Sequence, residues 1–318
     1  MSQDRRNSPS LCFFVKILIT GGSGFIGSHI AEHYQDRADE IRVLDNLRTG
    51  YRKNLDDLTH TFIEGSITDK DAVRRAAYGV DYIFHLAALV SVPESMAKPS
   101  ECVDINVQGL LNVLEAASET GIKKLVFASS AAVYGDNPSV PKIETMLPEP
   151  KSPYAITKLD GEHYLDLYHR ERNLETAAIR FFNVFGPRQD PQGAYAAAVP
   201  TFIEKALAGE DITVHGDGEQ TRDFIYVKDI VGALAFAAET PGVTGVFNAG
   251  YGNQMTINQL AEKIISTAGS ASKVIHGPQR AGDVKHSRSS ADKLRNLGWS
   301  PQYALDESLA TTVGFFKG

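Results

Sequence analysis

Tyr154 and Lys158 set a phenol and an ammonium four residues apart, in Tyr154-Ala-Ile-Thr-Lys158. On a helix, positions i and i+4 share a face, so the two groups can act as a unit. A free tyrosine, with a pKa of roughly 10, is a poor base at neutral pH. A neighbouring cation favours the phenolate and moves the residue toward proton transfer. Upstream, Ser129 and Ser130 follow the apolar run Lys124-Leu-Val-Phe-Ala128, which reads as a buried strand. Both serines then fall at the carboxyl edge of a sheet, where open α/β sheets bind their ligands. A hydroxyl, a phenol and a cation together suit reversible oxidation of an alcohol. The four-residue spacing by itself also fits a plain surface helix, so the case needs a cofactor site.

Such a site is legible near the N-terminus. Gly21 and Gly22-Ser-Gly24-Phe-Ile-Gly27 lie between the strand-like Val15–Thr20 and a helical pattern running from Phe25 to about Gln35. This is the context a dinucleotide fingerprint requires: glycines let backbone approach a pyrophosphate, and the helix N-terminus offers N–H donors. Asp45 closes the second strand, eighteen residues after Gly27, where a carboxylate can accept from a ribose diol. An acid there repels a 2′-phosphate, so NAD is expected over NADP; Arg48 keeps the phosphorylated cofactor open as an alternative. Phe84-His-Leu-Ala-Ala88 ends a strand in small residues, as backbone passing a cofactor would, with His85 read as a packed or loop histidine.

The elements that must position these groups alternate. Ile41–Leu44, Thr61–Ile63, Tyr82–His85 and Lys124–Ala128 read as strands, with helical patterns near Lys70–Ala77 and Ser100–Glu119. That order predicts an α/β fold, a Rossmann-type doubly wound parallel sheet covered on both faces, with a smaller C-terminal α+β substrate domain. The expected division places an NAD-binding domain at residues 1–183, its first fourteen residues an extension, and a discontinuous second domain at 184–318. Asp223–Val227 and Val246–Ala249 are expected to be strands, so that about 224–250 returns to the first domain.

Composition excludes several other readings. At 318 residues the chain has ample length for a large core, and its net charge of −7 argues against nucleic acid or an anionic membrane as partner. Two cysteines, Cys12 and Cys102, make no disulfide framework, which fits a reducing, cytoplasmic setting. The run Leu11–Ile19 is interrupted by Lys16 and leads straight into the glycine turn, unlike a signal peptide. His29 and His33 share a helix face but lack a third ligand at metal spacing, so no metal is expected.

The ordered motifs resemble the extended short-chain dehydrogenase/reductase family, and within it the UDP-sugar 4-epimerases, from about Val15 to the C-terminus. They are Thr20–Gly27, Asp45-Asn-Leu47, His85–Ala88, Ser129-Ser-Ala-Ala-Val-Tyr-Gly135, Ser152-Pro-Tyr-Ala-Ile-Thr-Lys158, Arg180-Phe-Phe-Asn-Val-Phe-Gly-Pro187, Arg222–Tyr226 and Arg280-Ala-Gly-Asp283. The resemblance implies that Tyr154 is the base on the sugar 4-hydroxyl, that Ser130 relays its proton, and that Lys158 holds the nicotinamide ribose and lowers the tyrosine pKa. It implies C4 oxidation by NAD⁺, a turn of the 4-keto sugar, and reduction from the opposite face. Further NAD contacts are implied at Phe25, Ile26, Asn46, Ser66, Ile67, Leu86, Ala87, Ala88, Asn106, Ser129 and Phe181. Asn183, Arg222 and Arg280 match positions that hold the UDP diphosphate, with Asp283 near the uridine ribose. Ser91, Val199, Thr213 and His215 complete the implied substrate contacts, and a homodimer built from the helices near 100–119 and 154–172 is implied as well.

Within that family Ser287 stands where a small side chain leaves room for a 2-N-acetyl group and a tyrosine excludes it. The run Gly186–Ala197 resembles the branch acting on N-acetylated sugars, with Gln189 and Ala197 shaping the pocket. The expectation is therefore UDP-GlcNAc/UDP-GalNAc, with or without UDP-Glc/UDP-Gal. Two departures stand out: Ser66 replaces an aspartate near the adenine, and Val90 is larger than the glycine expected of a strict N-acetyl-hexosamine enzyme. Ala131-Ala132 after Ser130 leave no carboxylate in that turn, against a 4,6-dehydratase. A UDP-glucuronate 4-epimerase or decarboxylase is the enzymatic alternative, and an NAD(H)-binding regulator the non-catalytic one.

Overall fold

The computed structural model describes residues 15–192, 197–279 and 285–318. Arg280, Asp283, the fourteen-residue extension and part of the 186–197 run lie outside the described residues.

Six apolar runs form parallel strands: β1 (Lys16–Thr20), β2 (Glu40–Asp45), β3 (Thr61–Glu64), β4 (Tyr82–His85), β5 (Lys124–Ser130) and β6 (Thr176–Phe181). Next come β7 (Asn183–Phe185), β8 (Ile212–His215), β9 (Thr221–Arg222) and β10 (Phe224–Tyr226), then β11 (Gly245–Ala249), β12 (Met255–Thr256) and β13 (Val274–Gly277). The main sheet runs β11-β6-β5-β4-β1-β2-β3, every neighbour parallel. The chain builds outward from β1 to β3, then returns to lay β4 on the other side of β1. The reversal opens a crevice at the carboxyl ends of β1 and β4, where such sheets take their ligands.

Helices α1 (Phe25–His33), α2 (Lys70–Ala77), α3 (Val92–Ala97), α4 (Pro99–Val103), α5 (Gly109–Thr120) and α6 (Pro153–Arg172) precede the smaller sheets. After them come α7 (Ala198–Ala208), α8 (Val227–Glu239), α9 (Ile257–Ala268), α10 (Asp292–Arg295) and α11 (Leu305–Lys317). One buried layer puts α1 and α8 over Ile17, Ile19, Val126 and Ile179, while the other puts α2 and α5 over Leu18, Ile83, Leu125 and Ala178. Alternate residues of one strand thus face opposite layers, as a sheet buried on both sides demands. A third core, around Phe202, Ile203, Val214, Leu260 and Ile264, joins α7, α9 and β8.

One expectation gains a detail and one needs correction. The expected helix near 100–119 is present and continuous, with a wider π-type turn at Asp104–Gln108 joining α4 to α5. Such bulges re-aim side chains within a helix, here turning Asn106 inward to Leu89. Phe224–Tyr226 also pairs with β7 in a separate ribbon and not with the main sheet, whose edge strand is β11.

Candidate active site

Gly21 enters the turn at φ +72°, and a Cβ there would stand 2.8 Å from Ala87 N. A Cβ on Gly27 would stand 2.3 Å from Gly21 O. Only glycine lets the turn tuck beneath the first turn of α1 while β4's small-residue exit passes in front. Gly24 occupies the N-cap of α1 without a side chain to cap it, which leaves first-turn N–H groups open to an anion. Asp45 closes β2 with its carboxylate oriented by the Ser23 N–H at 2.9 Å and the Leu47 N–H at 2.8 Å.

These groups line a cavity of about 390 Å³ with Gly21, Phe25, Ile26, Leu86, Ala87, Ala88, Ser129, Tyr154, Lys158 and Phe181. Backbone donors at one end, a carboxylate beside them and small residues along the wall fit a dinucleotide. Arg48, the residue that left NADP open, is bound to Glu94 at 2.8 Å and Glu101 at 2.5 Å. Its guanidinium is committed away from the Asp45 carboxylate, in keeping with NAD.

Helix α6 begins at a Ser152 cap followed by Pro153, which fixes its first turn and delivers Tyr154 and Lys158 to the end of β5. Lys158 is buried; its Nζ donates to Ala128 O at 2.7 Å and sits 5.8 Å from the Tyr154 ring centroid. Burial brings its pKa down to about 8. Burial raises that of Tyr154, with a hydrogen bond to Ser130 opposing the rise. The expected effect of the lysine on the tyrosine is therefore corrected: in the protein alone desolvation dominates both groups, and the neutral phenol is the favoured form. Ser130 caps the following 3₁₀ turn, its Oγ accepting from Ala132 N at 3.1 Å. His85 is buried and neutral, its pKa lowered by burial to about 3, with Nδ1 2.8 Å from Thr20 Oγ1 and its ring stacked on Phe127. It is a packed residue.

Several residues named from the sequence lie off this cavity wall. Asn106 is buried and bonded to Leu89 N and O and to Thr157. Ser66 Oγ serves the Thr68 turn, Ile67 is buried against the α5 layer, Asn46 accepts from Arg48 N, and Ser91 caps α3. Conversely, Thr49, Gly50, Tyr51, Asn54, Arg188 and Asp190 line the cavity unforeseen. Tyr51 Oη donates to Asp190 Oδ2 at 2.6 Å, bridging loops 139 residues apart. No local pattern could have signalled that contact.

A second cavity, also about 390 Å³, is lined by Asn183, Ala197, Val199, Thr213, His215 and Arg222. It adds Lys205, Gln220 and Phe224, which the sequence reading missed. Val184 lines both cavities, so they are neighbours. Gln189 lies on the cofactor side, and Ser287 is held beside Arg222 by its N–H donating to Thr221 O at 3.1 Å. Among the described residues no group of three or more His, Cys, Asp or Glu could hold a metal ion, and no helix is long and apolar enough to cross a membrane. His29 instead bonds Pro187 O at 2.9 Å.

The sequence pattern of the NAD dependent epimerase/dehydratase family matches residues 17–250. A putative UDP-glucose 4-epimerase of Methanocaldococcus jannaschii is 37% identical over 95% of this chain and 98% of its own length. The UDP-N-acetylglucosamine 4-epimerase of Methanobrevibacter ruminantium, solved with UDP-N-acetylmuramic acid, superposes with a TM-score of 0.92 at 41% identity, over 96% of this chain and 98% of that one. The UDP-glucose 4-epimerase of Thermus thermophilus, solved with NAD, gives 0.88 at 39% identity, over 95% and 99%. Fold, site and relatives define the class as an NAD-dependent nucleotide-sugar 4-epimerase, an isomerase. The chain belongs to the NAD dependent epimerase/dehydratase family.

Proposed function

We propose that the chain inverts C4 of a UDP-hexose, taking UDP-GlcNAc/UDP-GalNAc with or without UDP-Glc/UDP-Gal. The observation that carries this reading is the pair of neighbouring cavities: one lined by Tyr154 and Lys158, the other by Arg222 and Asn183, with Val184 in the wall of both. An arginine suits a diphosphate through charge-assisted, bidentate bonds. The sugar then projects from that anchor toward Tyr154.

When bound, NAD supplies a reversible two-electron acceptor at the sugar carbon. Tyr154 takes the proton of the 4-hydroxyl and, once the keto sugar has turned, returns it to the same oxygen, and Ser130, the last residue of β5, carries the hydrogen bond to that oxygen. Lys158, already pointed at Ala128 O, stands where its ammonium can meet the ribose hydroxyls. With the grip placed on the nucleotide, the sugar is left free to turn between the two half-reactions. The small side chain of Ser287, beside Arg222, supports a place for the N-acetyl group, and the likeness to a UDP-N-acetylglucosamine 4-epimerase supports the same reading. Gln189 and Ala197 are proposed to shape that pocket, with Arg280 and Asp283 on the nucleotide. The enzyme is proposed to work in the cytoplasm.

Purified protein incubated with UDP-GlcNAc or UDP-Glc, without added NAD, should form the C4 epimer by NMR. Release of carbon dioxide from UDP-glucuronate with no epimer from either hexose would replace this reading with a decarboxylase.

A further inference from the structure

Glu162 continues the Tyr154–Lys158 face of α6 by one more turn, at the same four-residue step. It is 5% exposed, and its partner Arg180, on β6, is 3% exposed. Arg180 Nε donates to Glu162 Oε1 at 2.8 Å and Nη2 to Oε2 at 2.7 Å, a two-pronged pair. A third bond reaches the same carboxylate: Ser129 Oγ, 2% exposed, donates to Oε1 at 2.5 Å. We propose that the buried Glu162–Arg180 pair is a positioning unit for the reacting groups, clamping the end of β5 against α6 so that Ser130 faces Tyr154. The proposal rests on the reading of Ser130, Tyr154 and Lys158 given above.

Two side chains of one helix grip two consecutive residues of one strand end. Lys158 holds Ala128 through its carbonyl, and Glu162 holds Ser129 through its hydroxyl. The next residue is Ser130. Its Oγ opens the 3₁₀ turn, so its place follows from the two residues before it. Ser129 and Arg180 are also direct partners across the β5–β6 ladder, so the clamp closes a ring from helix to strand to neighbouring strand.

An apolar plug could fill this layer without stripping water from two charges, and buried ion pairs are poor stabilisers for that reason. What a plug lacks is an acceptor aimed along one line at the serine hydroxyl. Arg180 supplies the counter-charge to that carboxylate, 2.7 Å away. Burial works against the Arg180 charge, but Glu162 outweighs it and holds the guanidinium's pKa up. The same carboxylate supports the ammonium of Lys158 against its own burial. Arg180 further lies 4.8 Å from the centre of the Tyr134 ring, and Tyr134 Oη donates to Asn248 Oδ1 at 2.7 Å, which anchors the pair from behind.

The test is a double-mutant cycle on kcat with Ser129→Ala and Glu162→Gln, at a temperature where thermal unfolding shows each variant folded. Each single change is expected to lower kcat roughly tenfold to a hundredfold, as a small misplacement of reacting groups does, with KM for the UDP-sugar unchanged in both and bound NAD content unchanged in Glu162→Gln. The double variant should lose no more than the worse single one, because both remove the same link. A double loss equal to the product of the single losses, or wild-type kcat in folded Glu162→Gln, would overturn the proposal. If Glu162→Gln does not fold, the cycle is run with Arg180→Lys, which keeps the charge and loses the fork; the same two outcomes decide it. Tyr154→Phe separates the two readings: if it turns over normally, the site assignment fails, and if it is dead while the cycle is multiplicative, only the clamp fails.

Discussion

At the residue scale the structure revises the chemistry that the Tyr154–Lys158 spacing suggests. The spacing places phenol and ammonium together but says nothing of the water each must give up. Burial favours the neutral form of both, bringing Lys158 to about 8 and raising Tyr154. The proposed role of Tyr154 as a base therefore needs more than the Lys158 spacing. One consequence is measurable in the apoenzyme. The lysine pKa is lowered from 10.5, so the ammonium is present below about 8 and disappears as pH rises through that value. If the ammonium binds the ribose, NAD affinity measured by calorimetry should fall as pH passes about 8. Lys158→Met should bind more weakly at neutral pH and show no such inflection. An inflection that persists in the variant would assign it to another group.

At the element scale, strands and glycine turns were legible because their signals are local. β1, β4 and β5 each hold a short apolar run, and the Gly21–Gly27 turn is packed closely by its own residues, by β2 and by the exit of β4. The inward turn of Asn106 was not legible, since a five-residue π-type turn decides it and no periodicity marks one. Nor were Arg188 and Asp190, which reach the cavity through partners over a hundred residues away. Glu32 shows what such long-range contacts do. From α1 it faces His29 at 3.3 Å, Arg188 at 2.7 Å and Lys228 at 3.3 Å, which ties α1 to the β7 exit loop and to α8. These neighbours, His29 first, hold its pKa near 2 against a usual 4.5. A depressed carboxylate contributes stability that is complete above about 4.5 and is lost as pH falls toward 2. With the side chain about a third exposed, the contribution is on the order of 1 kcal/mol after screening. Thermal melting of Glu32→Gln should therefore show a lower midpoint than the parent at neutral pH, with the gap narrowing below pH 4.5. A gap constant with pH would mean that the carboxylate charge is not what joins these elements.

At the scale of the whole molecule, one cavity is proposed to carry the chemistry and its neighbour to choose the substrate. Ser287, beside β9, is proposed to face the second cavity, and a tyrosine there should overfill it at a cost of roughly 1–3 kcal/mol. Ser287→Tyr is expected to lose UDP-GlcNAc turnover while sparing UDP-Glc, compared by kcat/KM; equal losses would remove the gate. The outer surface makes the last demand. Single exposed apolar residues are ordinary, but a group on adjoining helices asks for cover. Ile156 and Leu167, 47% and 43% exposed, lie eleven residues apart and so on one face of α6. Met96 at 60% and Val103 at 47% continue the group on α3 and α4, both of which pack against α6. A second copy meeting this face about a two-fold axis would cover all four at once. The same helix carries Tyr154 and Lys158, so such a dimer would brace the reacting groups from outside. Light scattering should then give about twice the 34.6 kDa of one chain. Met96→Glu with Ile156→Glu should give one chain, with a lower melting midpoint and reduced kcat. A parent protein that scatters as a single chain at micromolar concentration would leave the face without its partner and the helix braced by its own core alone.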